Sequence, residues 1–477
     1  MSELPIIEAV TKYIKENNVL FCTPGHKGGA GFNAFNKDEL INNIFKFDIT
    51  EVEGLDNLHN PEGVIKESLQ LLSAFYGSYK SYYLVNGSTL GNMIMLFSSF
   101  NEGDKVLIER CCHKSVYNAV IMKKLKPIFI KNVVSPDLGI PLSIDMDHFF
   151  QLINDEKDIK GIVITYPNYY GLCCNLELII KECGKHGLKV LVDSAHGAHF
   201  GVSTKLPASA IKLGADMVVT SSHKTLPSLT QTAYLHISEN TDVNKVDFYF
   251  KALSSTSPSY MFLCSLEYAR FYLERLGKKD YDELIRVSDI YRNKINSINH
   301  IHIIGKNDII NGNLVYDMDS TRYIINLEKG FSGHLLLKYL RKNGIQGELS
   351  DESNVVLILS SFNKEWEFEK LYFLLKNCNF ETLKSKNYDI VKYNIPELIL
   401  NPFEAVNSNK MLKEYKHSKG CISAGEVTPY PPGIPILMPG EKITDEFIDA
   451  IEMYQDMGVN MIGITSDKLW VVDIMED

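Results

Sequence analysis

No run of about 18 consecutive apolar residues occurs anywhere in the 477 residues, so a membrane-spanning helix is not the organising element. The opening stretch MSELPIIEAVTKYIKENN carries acidic residues and lacks the uninterrupted apolar core of a secretory signal; a cytoplasmic protein is expected. No long Lys/Arg run is present and the formal net charge is −10. That balance disfavours a nucleic-acid role, because phosphate binding needs a concentrated basic face. CxxC spacing is missing too. The nine cysteines are an odd number, and Cys111-Cys112 and Cys173-Cys174 are adjacent pairs, so neither a disulfide framework nor a zinc ribbon is suggested and reduced thiols fit best. Internal repeats and low-complexity segments are likewise absent.

What is present is an ordinary globular composition, 45% hydrophobic and 23% charged, on a chain long enough for two or three domains. Between Tyr82 and Ser238 one grammar recurs: a short apolar strand, a loop of small or polar residues, then a helical pattern. The strands read YYLV (82–85), KVLIE (105–109), PIFIK (127–131), GIVIT (161–165), KVLVD (189–193), DMVVT (216–220) and TAYLHI (232–237). Near-continuous apolar strands alternating with helices predict a mainly parallel seven-stranded sheet with helices on both faces. A long helical stretch, 259–298, precedes a second strand and helix alternation beginning at RYIINL, and the tail carries the proline-rich GEVTPYPPGIPILMPGE (425–441). The expected division is an N-terminal segment (1–60), a large domain (61–300) and a smaller C-terminal α/β portion (301–477).

In open parallel sheets ligands sit beyond the carboxyl ends of the strands, where loops converge beside helix N-termini. Those ends carry NGSTLGN, RCCHKS, YPNYYG, SAHGAHFG and SSHKT. Ser88 and Thr89 open a helix suited to an anion, although a capped helix start explains them as well. Asp193 puts a carboxylate at a strand end, and Ala195, two positions on, leaves room for a flat ring. Lys224 stands at the mouth of an apolar strand, framed by Ser221, Ser222 and His223. Partly desolvated and close to other cations, such an amine has a lowered pKa and forms a Schiff base with an aldehyde. Pyridoxal 5′-phosphate needs those parts together: a helix start and hydroxyls for its phosphate, a carboxylate for its pyridine nitrogen, a lysine for its aldehyde.

The blocks TPGHKGG (23–29), DITEVEGLDNLHNPEG (48–63), NGSTLGN, CHKSVYNA (112–119), DSAHGAHFG, SSHKTLPSLTQ, STSPSY (255–260), NPFEAV (401–406) and VTPYPPGIPILMPGE closely resemble, in order and nearly end to end, the bacterial ornithine/lysine/arginine decarboxylase family of type I pyridoxal phosphate enzymes. With TPGHKGG beginning at residue 23, the chain is similar to the short biosynthetic arginine decarboxylase form without a wing domain. The resemblance implies a type I transferase fold, and Lys224 as the residue that holds the cofactor. It implies Asp193 on the pyridine nitrogen and Ser88, Thr89 and Ser221 on the phosphate. His113 would lie on one ring face and Ala195 on the other, with His196 and His223 completing the surroundings. It further implies a homodimer with the site at the interface, Thr256 reaching the neighbouring subunit's phosphate.

The reaction so implied is decarboxylation of a basic amino acid: arginine (to agmatine) first, lysine second, ornithine third. Lys224 or His223 would return a proton to Cα. A distal substrate cation calls for a carboxylate, and Glu426 beside TPYPPG is the candidate, a solvated loop glutamate being the other reading. Other activities stay open. An aminotransferase or aldolase-type lyase would use the same cofactor, Asp193, His196 and His199 could hold a hydrolytic metal, and a binding protein could have kept the fold alone.

Overall fold

A computed structural model describes residues 12–33, 46–310, 314–385, 394–430, 435–456 and 458–473. Part of the expected N-terminal segment and residues 431–434 of the proline-rich loop lie outside the described residues. The seven apolar runs form one open sheet: β1 (Lys80–Leu84), β2 (Lys105–Glu109), β3 (Lys126–Ile130), β4 (Ile159–Thr165), β5 (Lys189–Asp193), β6 (Met217–Thr220) and β7 (Ala233–Ile237), in the order β1-β7-β6-β5-β4-β2-β3. Successive residues of a strand face opposite sides. In β6 and β7 every residue is buried, so both faces are covered. Each fully buried Val, Leu or Ile in such a strand contributes roughly 1.5–3 kcal/mol against unfolding.

One strand departs from the parallel scheme. β7 runs antiparallel to both β1 and β6, whereas β6, β5, β4, β2 and β3 pair in parallel. Since β7 opposes both, β1 and β6 point the same way. The carboxyl ends of β1, β6, β5, β4 and β2 therefore share one edge of the sheet.

Past residue 300 the chain forms two bodies. The first is an antiparallel sheet of β8 (Ile301–Ile303), β9 (Arg322–Leu327), β10 (Leu349–Ser350) and β11 (Asn354–Ile358), in the order β8-β9-β11-β10. Ile301, Tyr323, Ile325, Val355 and Leu357 join the main core, while Ile324, Leu349 and Val356 belong to a second cluster with Leu142 and Tyr170. The second body, from residue 394, has its own core around Tyr415, Leu437, Phe447 and Leu469, with two antiparallel pairs, β12 (Lys410–Glu414) with β15 (Lys468–Val472) and β13 (Thr428–Tyr430) with β14 (Asn460–Ile462). The expected type I class with one smaller C-terminal α/β domain is corrected accordingly, while six of the seven strands of the large sheet do point one way, with β7 alone reversed. The fold is α/β with a large mixed sheet and flanking helices, followed by a second sheet that shares the main core and a last body with a core of its own.

The N-terminal strand Val19–Phe21 pairs in parallel with Ile345–Gly347, beside the second sheet. It leads into TPGHKGG, which lies against the Lys224 segment: Gly25 N donates to His223 O at 2.8 Å, and Ser360 Oγ donates to Gly25 O at 2.7 Å. A β-carbon on Gly25 would stand 2.5 Å from the Thr225 carbonyl carbon, which is why no side chain fits there. Among the described residues no helix is long and apolar enough to cross a membrane, and all nine cysteines are unpaired.

Candidate active site

Three elements bring the site together at the common strand edge. After β1 the chain turns at Asn86 into α1 (Gly87–Ser99), with Gly87 N donating to Gln231 O at 2.7 Å. After β2, His113 caps α2 (Lys114–Met122), its ring nitrogen Nδ1 accepting from Ser115 N at 3.2 Å. After β6 comes the single turn α3 (Ser222–Thr225), which ends at Leu226 because Pro227 has no N–H to continue it. Ser221 Oγ donates to Ser88 Oγ at 2.9 Å, tying the approach to Lys224 to the first turn of α1.

Asp193 is buried at the end of β5 and receives two donors, Asn92 Nδ2 at 2.7 Å and Ala195 N at 3.0 Å. Asn92, one turn beyond Ser88 on α1, also donates to Ser115 Oγ at 2.8 Å, and Ser115 Oγ meets His113 Nδ1 at 2.8 Å. One chain of polar contacts thus links the Asp193 carboxylate to the His113 ring.

Lys224 Nζ lies 3.0 Å from His196 Nε2, and the other nitrogen of that ring, Nδ1, lies 2.8 Å from Arg322 Nη2. The Tyr169 ring packs at 4.7 Å from the His196 ring. Tyr169 OH donates to Glu348 Oε1 at 3.0 Å, and Thr23 N to Glu348 Oε2 at 2.8 Å. Burial lowers the Lys224 pKa; Asp193 and Glu348 pull it back up and Arg322 pushes it down. The Lys224 amine and the Asp193 carboxylate are thus close enough to feel each other's charge. Burial also carries His196 well below the ordinary histidine range, with Lys224 and Arg322 adding to the effect. His113 and His223 are lowered too, chiefly by the protein around them. His223 Nδ1 lies 2.9 Å from Thr232 O, which only accepts, so Nδ1 carries the proton and a neutral His223 keeps a free lone pair on Nε2.

The structure therefore gathers Ser88, His113, Asp193, Ala195, His196, Ser221, His223 and Lys224. It does not gather the rest. Thr89 follows Ser88 on α1 but is exposed, and Thr256 is exposed on the stretch before Ser259. Glu426 is half-buried in the last body and forms no hydrogen bond or ion pair with this group. The trio Asp193, His196 and His199 diverges: His199 Nε2 faces Asp319 Oδ1 at 3.2 Å while its ring stacks on Tyr281. Among the described residues no cluster of three or more His, Cys, Asp or Glu is placed to hold a metal.

Four participants escaped the sequence reading: Asn92, Ser115, Arg322 and Glu348. Asn92 had a signal, standing four residues after Ser88 on one helix face. Arg322 and Glu348 had none, being a lone arginine at a strand start and a lone glutamate between Gly347 and Leu349.

The donor set fits pyridoxal 5′-phosphate: a half-buried amine at Lys224, a carboxylate at Asp193, hydroxyls at Ser88 and Ser221 beside the start of α1, and the His113 ring. Comparison with known proteins agrees. The Orn/Lys/Arg decarboxylase major domain matches residues 4–325, and the C-terminal domain of the same family matches residues 394–467. The arginine decarboxylase of Bacillus anthracis is 34% identical over 100% of this chain and 98% of its own length. The inducible lysine decarboxylase of Escherichia coli K12 is 24% identical over 97% of this chain and 79% of its own. The crystal structure of the Francisella novicida lysine decarboxylase LdcF superposes with a TM-score of 0.78 at 22% identity, covering 97% of this chain and 80% of that one. What these matches carry is the family, not the type I label. The chain belongs to the Orn/Lys/Arg decarboxylase family, whose members are pyridoxal phosphate-dependent carboxy-lyases acting on basic amino acids.

Proposed function

We propose that the protein decarboxylates L-arginine to agmatine in a homodimer. The single observation that carries the site reading is the meeting of Lys224, Asp193 and the Ser88–Ser221 pair at one edge of the sheet. The choice of arginine rests on the full-length similarity to arginine decarboxylases, 31–34% identical over 92–100% of this chain.

In this reading Lys224 would take up the cofactor's aldehyde, and Asp193, which accepts hydrogen bonds from Asn92 and the Ala195 N–H, would face the pyridine nitrogen. Ser88, Thr89 and Ser221 would hold the phosphate, His113 and Ala195 would flank the ring, and His196 would position the amine. When bound, the cofactor supplies the electron sink that accepts the pair left behind by departing CO₂. The protein's part would be to orient the substrate carboxylate for departure and to return a proton to Cα, from Lys224 Nζ or His223 Nε2. Thr256 and Glu426 belong to the interface, Thr256 on the partner's phosphate and Glu426 on the distal substrate cation.

The test is CO₂ release from arginine, lysine and ornithine side by side, with Lys224→Ala as control. Arginine should exceed lysine by about tenfold or more in kcat/KM, a difference of ~1.4 kcal/mol in transition-state binding. Preference for lysine or ornithine would overturn the substrate choice, and full activity in the control would overturn the site.

A further inference from the structure

The contact between Lys224 and His196 has a direction that the rest of the site dictates. Arginine has five N–H donors and no acceptor. Arg322 Nη2 therefore donates to His196 Nδ1 across their 2.8 Å contact, and that nitrogen must offer a lone pair. A neutral imidazole carries one proton, so it sits on Nε2, and Nε2–H points at Lys224 Nζ, 3.0 Å away. An ammonium has no lone pair to accept that bond, whereas a free amine does.

We propose that Arg322 is a positioning residue that locks His196 in its Nε2–H tautomer and thereby presents Lys224 as a neutral, nucleophilic amine. The inference rests on the reading of Lys224 as the residue that takes up the cofactor.

The arrangement is built to stay put. Arg322 is fully buried at the start of β9. Gly171 approaches so closely that a β-carbon there would stand 2.5 Å from Arg322 Cγ. The preceding turn is fastened as well: Asp319 N donates to Gly171 O at 2.8 Å, Thr321 N and Oγ1 donate to Asp319 Oδ1 at 2.9 and 2.7 Å, and Asp319 faces His199. The Asp319–Arg322 turn thus grips both histidines of HGAH, one at each end. Arg322 Nε and Nη1 have no hydrogen-bond partner, so the guanidinium stays buried with little to hold it except the His196 contact and the turn.

The charges around the amine pull in both directions. Asp193 from the end of β5 and Glu348 from before β10 both favour a proton on Lys224. Burial and Arg322 oppose them, and His113 and His223 add no positive charge while they remain neutral. The hydrogen-bond polarity imposed by Arg322 settles the matter for the free amine, and a neutral amine is what an aldehyde requires.

Two measurements on the apoprotein test this. Nitrogen-15 spectra of histidine-labelled protein, with the His196 signal assigned from its loss in His196→Gln, should place the proton on Nε2; a proton on Nδ1 overturns the proposal without any Arg322 variant. The pH profile for covalent uptake of added pyridoxal 5′-phosphate, followed by its yellow absorbance and fixed with borohydride, should move up by about one unit in Arg322→Met, which has no donor for His196 Nδ1, roughly a tenfold loss of rate at a fixed lower pH. Arg322→Lys, which again can only donate, should restore it. An unmoved profile in Arg322→Met overturns the proposal. If the protein takes up the cofactor with the expected profile but releases no CO₂, the proposed reaction fails and this inference stands.

Discussion

Asn92 is where one side chain organises several others. Both of its N–H bonds are committed, one to Asp193 and one to Ser115, while its own buried Oδ1 has no partner. Replacing it with leucine removes a hydrogen bond to a charged group, worth roughly 1.5–3 kcal/mol. The expected outcome for Asn92→Leu is about a tenfold or greater weakening of cofactor retention, read by spectrophotometric titration of the apoprotein, with far-UV circular dichroism unchanged. At this scale the legibility of the site divides by distance along the chain. Lys224, Asp193 and Ser88 announced themselves because each follows a strand readable in its own few residues. Arg322 and Glu348 reach the same place from other strands, so only the tertiary crossing of β9 and β10 toward His196 and Tyr169 reveals them.

At the level of strands and helices, a buried ion pair helps fasten the last body to the large sheet, beside a hydrogen bond from Asn401 Nδ2 to Leu125 O at 2.9 Å. Arg110, just past β2, donates from Nη1 to Glu441 Oε1 at 2.6 Å and from Nη2 to Glu441 Oε2 at 2.9 Å, and Met438 N donates to the same carboxylate at 2.7 Å. Breaking one side of such a pair leaves a buried charge alone, at a cost of about 3–5 kcal/mol. Glu441→Ala should therefore expose the segment around residue 394 to limited proteolysis and lower the urea midpoint, while the core of β1–β7 survives. The interior of β7 gives a pH prediction. His236, fully buried with its ring 4.3 Å from Tyr76 and Nδ1 2.9 Å from Ser81 Oγ, is pushed by burial from 6.5 down to about 3. Between those values the unfolded chain binds a proton that the folded chain refuses, so stability falls as pH drops through 6.5 and is unaffected above it. The slope is at most roughly 1.4 kcal/mol per pH unit for this group. His236→Gln should flatten the urea-derived stability curve between about pH 6 and pH 4 by up to that amount, leaving the acid penalties of the other histidines that burial lowers, His26, His113, His196 and His223 among them. The strands themselves were legible as buried apolar runs. The direction of β7 was not, because TAYLHI reads alike whichever way it lies between its neighbours.

For the whole molecule, Thr89, His113 and Thr256 are exposed although each is expected to line the site. A second copy covering them is the arrangement proposed above, and it predicts that specific activity falls on dilution in step with loss of dimer, measured by sedimentation velocity and initial rates on the same samples. Activity that persists in the monomer would remove Thr256 and Glu426 from the site. The threading of the N-terminal segment has a different consequence. Gly25 and Lys27 find their partners Ser360 and Ile358 only after some 330 intervening residues, 335 and 331 positions along. The residues that brace Lys224 are synthesised long before Ser360 and Ile358, the groups that hold them in place. A nascent chain must therefore carry TPGHKGG unsatisfied through most of its synthesis, and long-range closure of this kind is slow. Folding in the cell should show a late step in which the amine's surroundings set all at once, and a shortened chain lacking β11 should make a sheet but never a competent lysine.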